Sequence, residues 1–231
     1  MRSCVVLFSG GLDSTTALAW ARTKYDHVHA LTFDYGQRHR LEIGLARRAA
    51  RRLGVPHAVL KVDLRPIGGS ALTDSRIPLP RAARASRPRS GPPATYVPFR
   101  NGIFLALAAA WAEARGVEDL VCGFHVEDSP HYPDTTGAFV KAMEKAVRTG
   151  TKAVFGAPRP RIVVPLLGLS KTAIIRLGLG LGADYSLSVS CYAGTERPCG
   201  TCSSCRFRAR AWKAVGREDP LIARLRKEGR P

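Results

Sequence analysis

Residues 9–14 read Ser-Gly-Gly-Leu-Asp-Ser, and two further hydroxyls follow at Thr15 and Thr16. Glycines at 10 and 11 let backbone N–H groups approach a bound group closely. Ser14, Thr15 and Thr16 open a helix, where free N–H groups and the dipole attract anions. Together they make a phosphate cradle after the apolar stretch Val5–Phe8. The Lys of a G-x-x-x-x-G-K-[ST] loop is absent, so the motif is a different one. An ordinary strand-to-helix turn would account for the glycines, but not for Ser9, Asp13, Ser14, Thr15 and Thr16.

A second group of residues suits a metal. Cys191, Cys199, Cys202 and Cys205 follow the pattern C-x7-C-x2-C-x2-C. Four thiolates at this spacing fit a closed, tetrahedral, structural Zn²⁺ site. An iron–sulfur cluster or a redox C-x2-C pair would use the same residue type. Thr201, Ser203 and Ser204 make the segment a polar turn, which argues against four unliganded core thiols. Cys4 and Cys122 lie in apolar segments and read as core. Clustered thiols of this kind favour a metal over disulfides.

The elements that must position these residues alternate. Val5–Phe8, Val28–Phe33 and His57–Val62 read as strands, with helices over Ser14–Thr23 and Arg38–Leu53 between them. Arg76–Pro93 is rich in Arg and Pro and holds no acid, so it reads as a mobile loop. A helix opened by Pro98, a strand at Leu120–Gly123, a helix over Asp134–Arg148 and a strand at Ile162–Val164 follow. Ser170 is a good cap for the next helix. This predicts an α/β fold, a doubly wound, mostly parallel sheet, with a small C-terminal zinc-binding module. We place the division between 1–185 and 186–231, the latter ending in a basic helical tail.

The chain of 231 residues is 45% hydrophobic, enough for one α/β core and a small appendage. Its net charge of +18 suggests a polyanionic partner. A composition rich in Arg and Ala gives the same balance without one, so direct nucleic-acid binding is open but not favoured. The longest apolar run, Ile103–Ala112, is too short to span a bilayer. Val5–Phe8 is too brief for a signal-peptide core. These features point to a cytoplasmic protein with no membrane partner.

Ser9–Ser14 resembles the SGGxDS signature of the PP-loop ATP pyrophosphatases, which use ATP to adenylate a substrate oxygen and release pyrophosphate. "DYGQRH" at Asp34–His39, "YVPFRN" at Tyr96–Asn101, "YPD" at Tyr132–Asp134, "PLLGLSK" at Pro165–Lys171 and the cysteine cluster fall in order. Taken together, nearly the whole chain resembles the 7-cyano-7-deazaguanine synthase family. The resemblance implies an ATP-dependent ligase that turns 7-carboxy-7-deazaguanine and ammonia into a nitrile, by way of an adenylated carboxylate and an amide, in queuosine or archaeosine base biosynthesis. It also implies Mg²⁺ with ATP, a structural zinc and a homodimer.

Carried over by residue, the resemblance has Phe8, Ser9, Gly10, Gly11, Leu12, Asp13, Ser14, Thr15, Thr16, Ala17 and Leu18 line ATP. Asp13, Ser14, Lys171 and Arg100 take catalytic roles. Lys171 suits pyrophosphate as a point charge, against a solvated helix-start lysine. Arg100 suits phosphate or carboxylate by its fork, against a loop salt bridge. Tyr35, Gln37, Arg38 and His39 lie just past the second strand, where doubly wound sheets bind ligands, and Asn101 stands beside Arg100 at a helix start, against a cap. Glu127, Asp128, His131 and Asp134 follow the fourth strand. Their carboxylates suit the N–H donors of a purine-like base or Mg²⁺, against a polar loop with Asp134 capping the next helix.

Two departures from the family pattern stand out. Phe99 replaces a residue that is usually small, and Thr135-Thr136 replaces a usual Cys-Arg. They leave room for a related carboxylate-activating enzyme. The basic charge leaves room for a tRNA-modifying adenylator using Arg81, Arg84, Arg87 and Arg89. A zinc-bearing nucleic-acid-binding module is a third reading, from a different class of protein.

Overall fold

The computed structural model describes residues 1–80, 91–125, 132–157 and 159–229. The expected loop therefore lies largely outside the described residues, as do Glu127, Asp128 and His131.

Five strands form one sheet: β1 (Ser3–Leu7), β2 (His27–Asp34), β3 (His57–Lys61), β4 (Asp119–Val121) and β5 (Arg161–Val163). Their order is β3-β2-β1-β4-β5, and every pairing is parallel. Parallel strands need covered crossovers, and the helices supply them. They are α1 (Leu12–Arg22), α2 (Leu41–Arg52), α3 (Arg100–Glu113), α4 (Gly137–Thr149), α5 (Lys171–Gly180), α6 (Ser203–Val215) and α7 (Pro220–Lys227).

Side chains alternate across a strand, so each face of β1 feeds a different core. Cys4 and Val6 pack with Leu18 of α1, Ala46 of α2, Ile174 of α5 and Trp212 of α6. Val5 packs with Leu105 of α3, Val140 of α4 and Ile162 of β5. The fold is thus a doubly wound α/β sheet, here entirely parallel among the described strands. Strand order reverses between β1 and β4, and that switch point is where such sheets bind ligands.

Four helix starts differ from expectation: α1 begins two residues before Ser14 and α2 three after Arg38, and the other two have a local cause. The helix expected from Asp134 begins at Gly137, because Thr136 caps it and accepts from Phe139 N at 3.2 Å. The helix expected to open at Pro98 begins at Arg100, after Phe99 takes the left-handed conformation at φ 51°. Ser170 caps α5 as expected, accepting from Ala173 N at 3.2 Å.

The C-terminal segment is packed onto the sheet layers. α6 sends Ala211 and Trp212 into the first core. A third cluster joins Leu45 of α2 to Leu187, Val189, Leu221, Leu225 and three of the clustered cysteines. Among the described residues, no helix is long and apolar enough to cross a membrane.

Candidate active site and cysteine cage

A cleft of about 550 Å³ opens at the switch point. Phe8, Ser9, Gly11, Leu12, Asp13 and Ser14 line one end of it. Gly10 turns there at φ 79°, and a Cβ on it would stand 3.1 Å from Ala46 Cβ. Just past the neighbouring strand β4, Gly123 comes so close that a Cβ would lie 2.9 Å from the Asp13 carbonyl carbon. Two glycines thus let three backbone segments converge at the cradle.

Hydroxyls of the cradle divide into two sets. Ser9 Oγ and Ser14 Oγ lie 3.2 Å apart on the cleft wall. Thr15 donates to Gly11 O at 2.8 Å, and Thr16 lies 2.7 Å from the Tyr185 hydroxyl. These two face back into the helix and the core, and they do not line the cleft. Ala17 and Leu18 are fully buried in the first core.

Lys171, at the start of α5, donates to both carboxylate oxygens of Asp13 at 2.9 Å. His125 Nε2 lies 3.0 Å from Lys171 Nζ and 3.4 Å from Asp13 Oδ2. Burial alone would raise the Asp13 pKa, but the Lys171 charge and the His125 contact outweigh it and hold the carboxyl well below the usual carboxylate range. The site therefore carries an ionised acid beside a lysine, where phosphate would compete for the lysine.

The other end of the cleft is aromatic. Tyr35, His39, Glu42, Arg100, Asn101, Phe104, Tyr132 and Tyr192 line it. Arg100 donates to the Tyr35 hydroxyl at 3.2 Å. Burial works against its charge, but Tyr35 and Asp134 outweigh burial and raise its pKa. Burial pushes the His39 pKa down to about 4, with the Arg100 charge adding to it. Gln37 and Arg38 serve the frame instead of the cleft. Gln37 ties Tyr35 N to Phe33 O, and Arg38 donates to Ser75 O at 2.6 Å. Asp134 accepts from Asn101 N at 3.0 Å, so it caps the start of α3 and not that of α4.

The four cysteines converge as their spacing suggested. Their sulfur atoms all lie within 4.8 Å of one another, and Cys199 and Cys205 Sγ are 3.9 Å apart. A zinc tetrahedron with bonds of about 2.3 Å separates sulfurs by about 3.8 Å, so the cage has the right size. Backbone N–H groups point at sulfur as they do at thiolates: Cys199 N to Cys191 Sγ and Cys202 N to Cys199 Sγ, each 3.4 Å. The cage also braces the cleft. Gly194, at φ 77°, packs so tightly that a Cβ would lie 2.7 Å from Arg38 O, just before His39.

A family model described as queuosine biosynthesis protein QueC matches residues 3–216. The chain belongs to this family. A relative from Pseudomonas fluorescens named 7-cyano-7-deazaguanine synthase is 46% identical over 222 residues, 95% of this chain and 97% of its own. One of the same name from Methylococcus capsulatus is 46% identical over 223 residues, 95% of this chain and 98% of its own. A solved 4-thiouridine synthetase, in complex with RNA and ATP, matches with a TM-score of 0.50 at 19% identity, over 99% of this chain and 53% of that one. That likeness places the QueC-family chain among proteins of the same fold.

Three residues of this QueC-family cleft escape the sequence motifs. Glu42 stands three residues past His39, within helical reach of it. His125 follows the carboxyl end of β4, a position the fold itself marks for ligands. Arg208 is buried on the cleft wall, paired with Asp219 at 2.5 Å and donating to Ser188 at 3.1 Å. Only His125 carried a signal strong enough to find from sequence.

Proposed function

We propose that the chain is an ATP-dependent ligase that makes 7-cyano-7-deazaguanine from 7-carboxy-7-deazaguanine and ammonia. The observation that carries this is the Asp13–Lys171 pair facing a cleft at the carboxyl end of β1, in a chain of the QueC family. Residues 1–185 serve as the ATP-binding unit and 186–231 as the metal-holding one.

Backbone N–H groups of Gly10–Ser14 and the Lys171 ammonium hold the pyrophosphate of ATP. A carboxylate oxygen of the substrate attacks the α-phosphorus, and the bond to pyrophosphate breaks. Ammonia then attacks the acyl carbon, AMP leaves, and the amide results. A second ATP activates the amide oxygen in the same way. Loss of AMP and a proton leaves the nitrile. Arg100, half-buried at the aromatic end of the cleft and without an ion pair among the described residues, supplies a positive charge beside the bound base. Asp13 would hold Mg²⁺ together with phosphate oxygens, and the ion would neutralise charge there. Cys191, Cys199, Cys202 and Cys205 would hold zinc in a structural role. The resemblance brings with it a homodimer, and the short apolar runs of the sequence support a cytoplasmic setting.

Pyrophosphate release and mass spectrometry of the base test the proposal. The expected result is nitrile formation from the free base with ATP and ammonia. Release that depends on tRNA, with no change in the free base, would instead support a tRNA-modifying adenylator.

A further inference from the structure

Glu42 is a cleft-lining carboxyl outside the Asp13–Lys171–His125 cluster, and its backbone carbonyl packs beside Gly10 of the cradle. It stands in the first turn of α2 with 11% of its side chain exposed. The Gln37 amide donates to it at 3.3 Å, and His39 Nε2 lies 3.3 Å away. Among the described residues, no lysine or arginine forms an ion pair with it. Arg100 on α3, and Tyr35 and His39 in the loop after β2, are the charged and titratable groups that face it. Tyr192 of the cysteine loop faces His39 in turn. Burial pushes the Glu42 carboxyl up to about 8, against the pull of Gln37 and Arg100.

The surroundings suit a flat bicyclic ring. Tyr35 and Phe104 meet edge to face with centroids 5.3 Å apart, and Phe104 stacks on Phe33 at 4.1 Å. Tyr192 lies 6.2 Å from His39. Position along the sheet gives the orientation. β2 and β4 flank β1, so their carboxyl ends are separated by two strand spacings, about 10 Å. Lys171, Asp13 and His125 mark the β1–β4 end, and Tyr35 to Glu42 mark the β2 end. A base with its carboxylate at the first end presents its far edge at the second. In a guanine-like ring that edge carries a ring N–H and an amino group side by side, a pair of donors that matches two carboxylate oxygens.

We propose, resting on the function stated above, that Glu42 reads the ring N–H and 2-amino group of the deazapurine as a carboxylate and releases its proton on binding. In the empty cleft the carboxylic acid is held by Gln37 and His39. As the base enters, the O–H bond breaks, the proton passes to solvent buffer, and the two oxygens accept the two N–H groups. The nearby Arg100 charge and the two new donors offset the cost of burying the ionised group.

Calorimetric titration of the full chain with 7-carboxy-7-deazaguanine at neutral pH, in two buffers of different ionisation enthalpy, tests this. Wild type should release on the order of one proton per site. It should bind an analogue without the 2-amino group about fivefold or more weakly, the low end for a bidentate pair. Glu42→Gln, which keeps the shape, should release no proton, bind the parent base about tenfold or more weakly and lose the discrimination, with ATP affinity unchanged. The wild-type comparison of the two bases needs no variant, so it stands even if Glu42→Gln misfolds. Equal binding of both bases by wild type, or a loss in Glu42→Gln that appears for ATP and not for the base, overturns the proposal. If wild type adenylates another acid and does not bind this base at all, the function proposed above falls and takes this one with it.

Discussion

Lys171 Nζ stands 2.9 Å from each carboxylate oxygen of Asp13. The two residues lie far apart in the chain, yet they meet because α1 and α5 pack side by side on one face of the sheet. The pair is a stored charge arrangement. Lysine is held at the cradle before phosphate arrives, and phosphate takes over its role as counterion for the ammonium.

Lys171→Ala should therefore abolish pyrophosphate release and also weaken the fold. It leaves Asp13 ionised and short of a partner, at a cost of about 1–3 kcal/mol for this partly exposed group. The Asp13 pKa is lowered on folding, so its stabilisation is present above the ordinary carboxylate range and is lost as pH falls through the lowered value. Melting curves from neutral to acid pH should fall less steeply for Lys171→Ala than for wild type. Parallel curves would show that the pair contributes nothing to stability.

Glu42 has the opposite sign. Its pKa is raised to about 8 on folding, so the folded state binds the extra proton between the unfolded value and that one. Stability should fall as pH rises through this window and level off above it. Glu42→Gln removes the titration, so the variant should gain on wild type from pH ~5 to ~8, by up to a few kcal/mol. Denaturant midpoints at three pH values check this, and a constant difference would argue against a protonated Glu42 in the folded state.

Glycine substitutions should separate tight backbone contacts from soft ones. Gly123→Ala places a methyl 2.9 Å from the Asp13 backbone, which has to shift. It should cost about 1–3 kcal/mol and depress ATP turnover more than a matched control at a similar stability loss. Gly178→Ala meets the fully buried Tyr185 hydroxyl and should be at least as destabilising. Gly102→Ala meets first the Phe99 ring, 53% exposed and able to swing away, and should be mild. Thermal melts of the three variants give the ranking directly.

The cysteine cage should carry about one zinc per chain by elemental analysis, and Cys199→Ser should lower the melting temperature. Because Gly194 packs on the Arg38 backbone, the same variant should weaken base binding more than ATP binding. Iron with a visible chromophore would reject the zinc assignment, and equal losses for the two ligands would reject the bracing role.

The phosphate cradle and the cysteine cage were legible in the sequence because each is local. Ser9 to Ser14 are contiguous, and the four cysteines span one turn and the start of α6. The aromatic end of the cleft was only half legible. "DYGQRH" marked the right loop, but a motif does not show which way each side chain turns: Tyr35 and His39 face the cleft, and Gln37 and Arg38 hold the frame. Glu42 was hidden because it lies outside the quoted motif, as a single acid sharing a helix face with Leu45 and Ala46. Asp134 was expected either to bind substrate or to cap α4. It spans instead to α3, a tertiary contact that local cap preference does not encode.

The cleft begun by Ser9–Ser14 is closed by Tyr192 and Arg208, residues much later in the sequence. α6, which carries Arg208, packs on α5, and α5 packs on α1, so the last wall docks on elements made before it. During synthesis, then, the nucleotide motif leaves the ribosome well before Tyr192 and Arg208, and the pocket can assemble only once those later residues have emerged. Nascent chains would carry the signature for ATP without the means to spend it, and a truncation before Tyr192 would do the same.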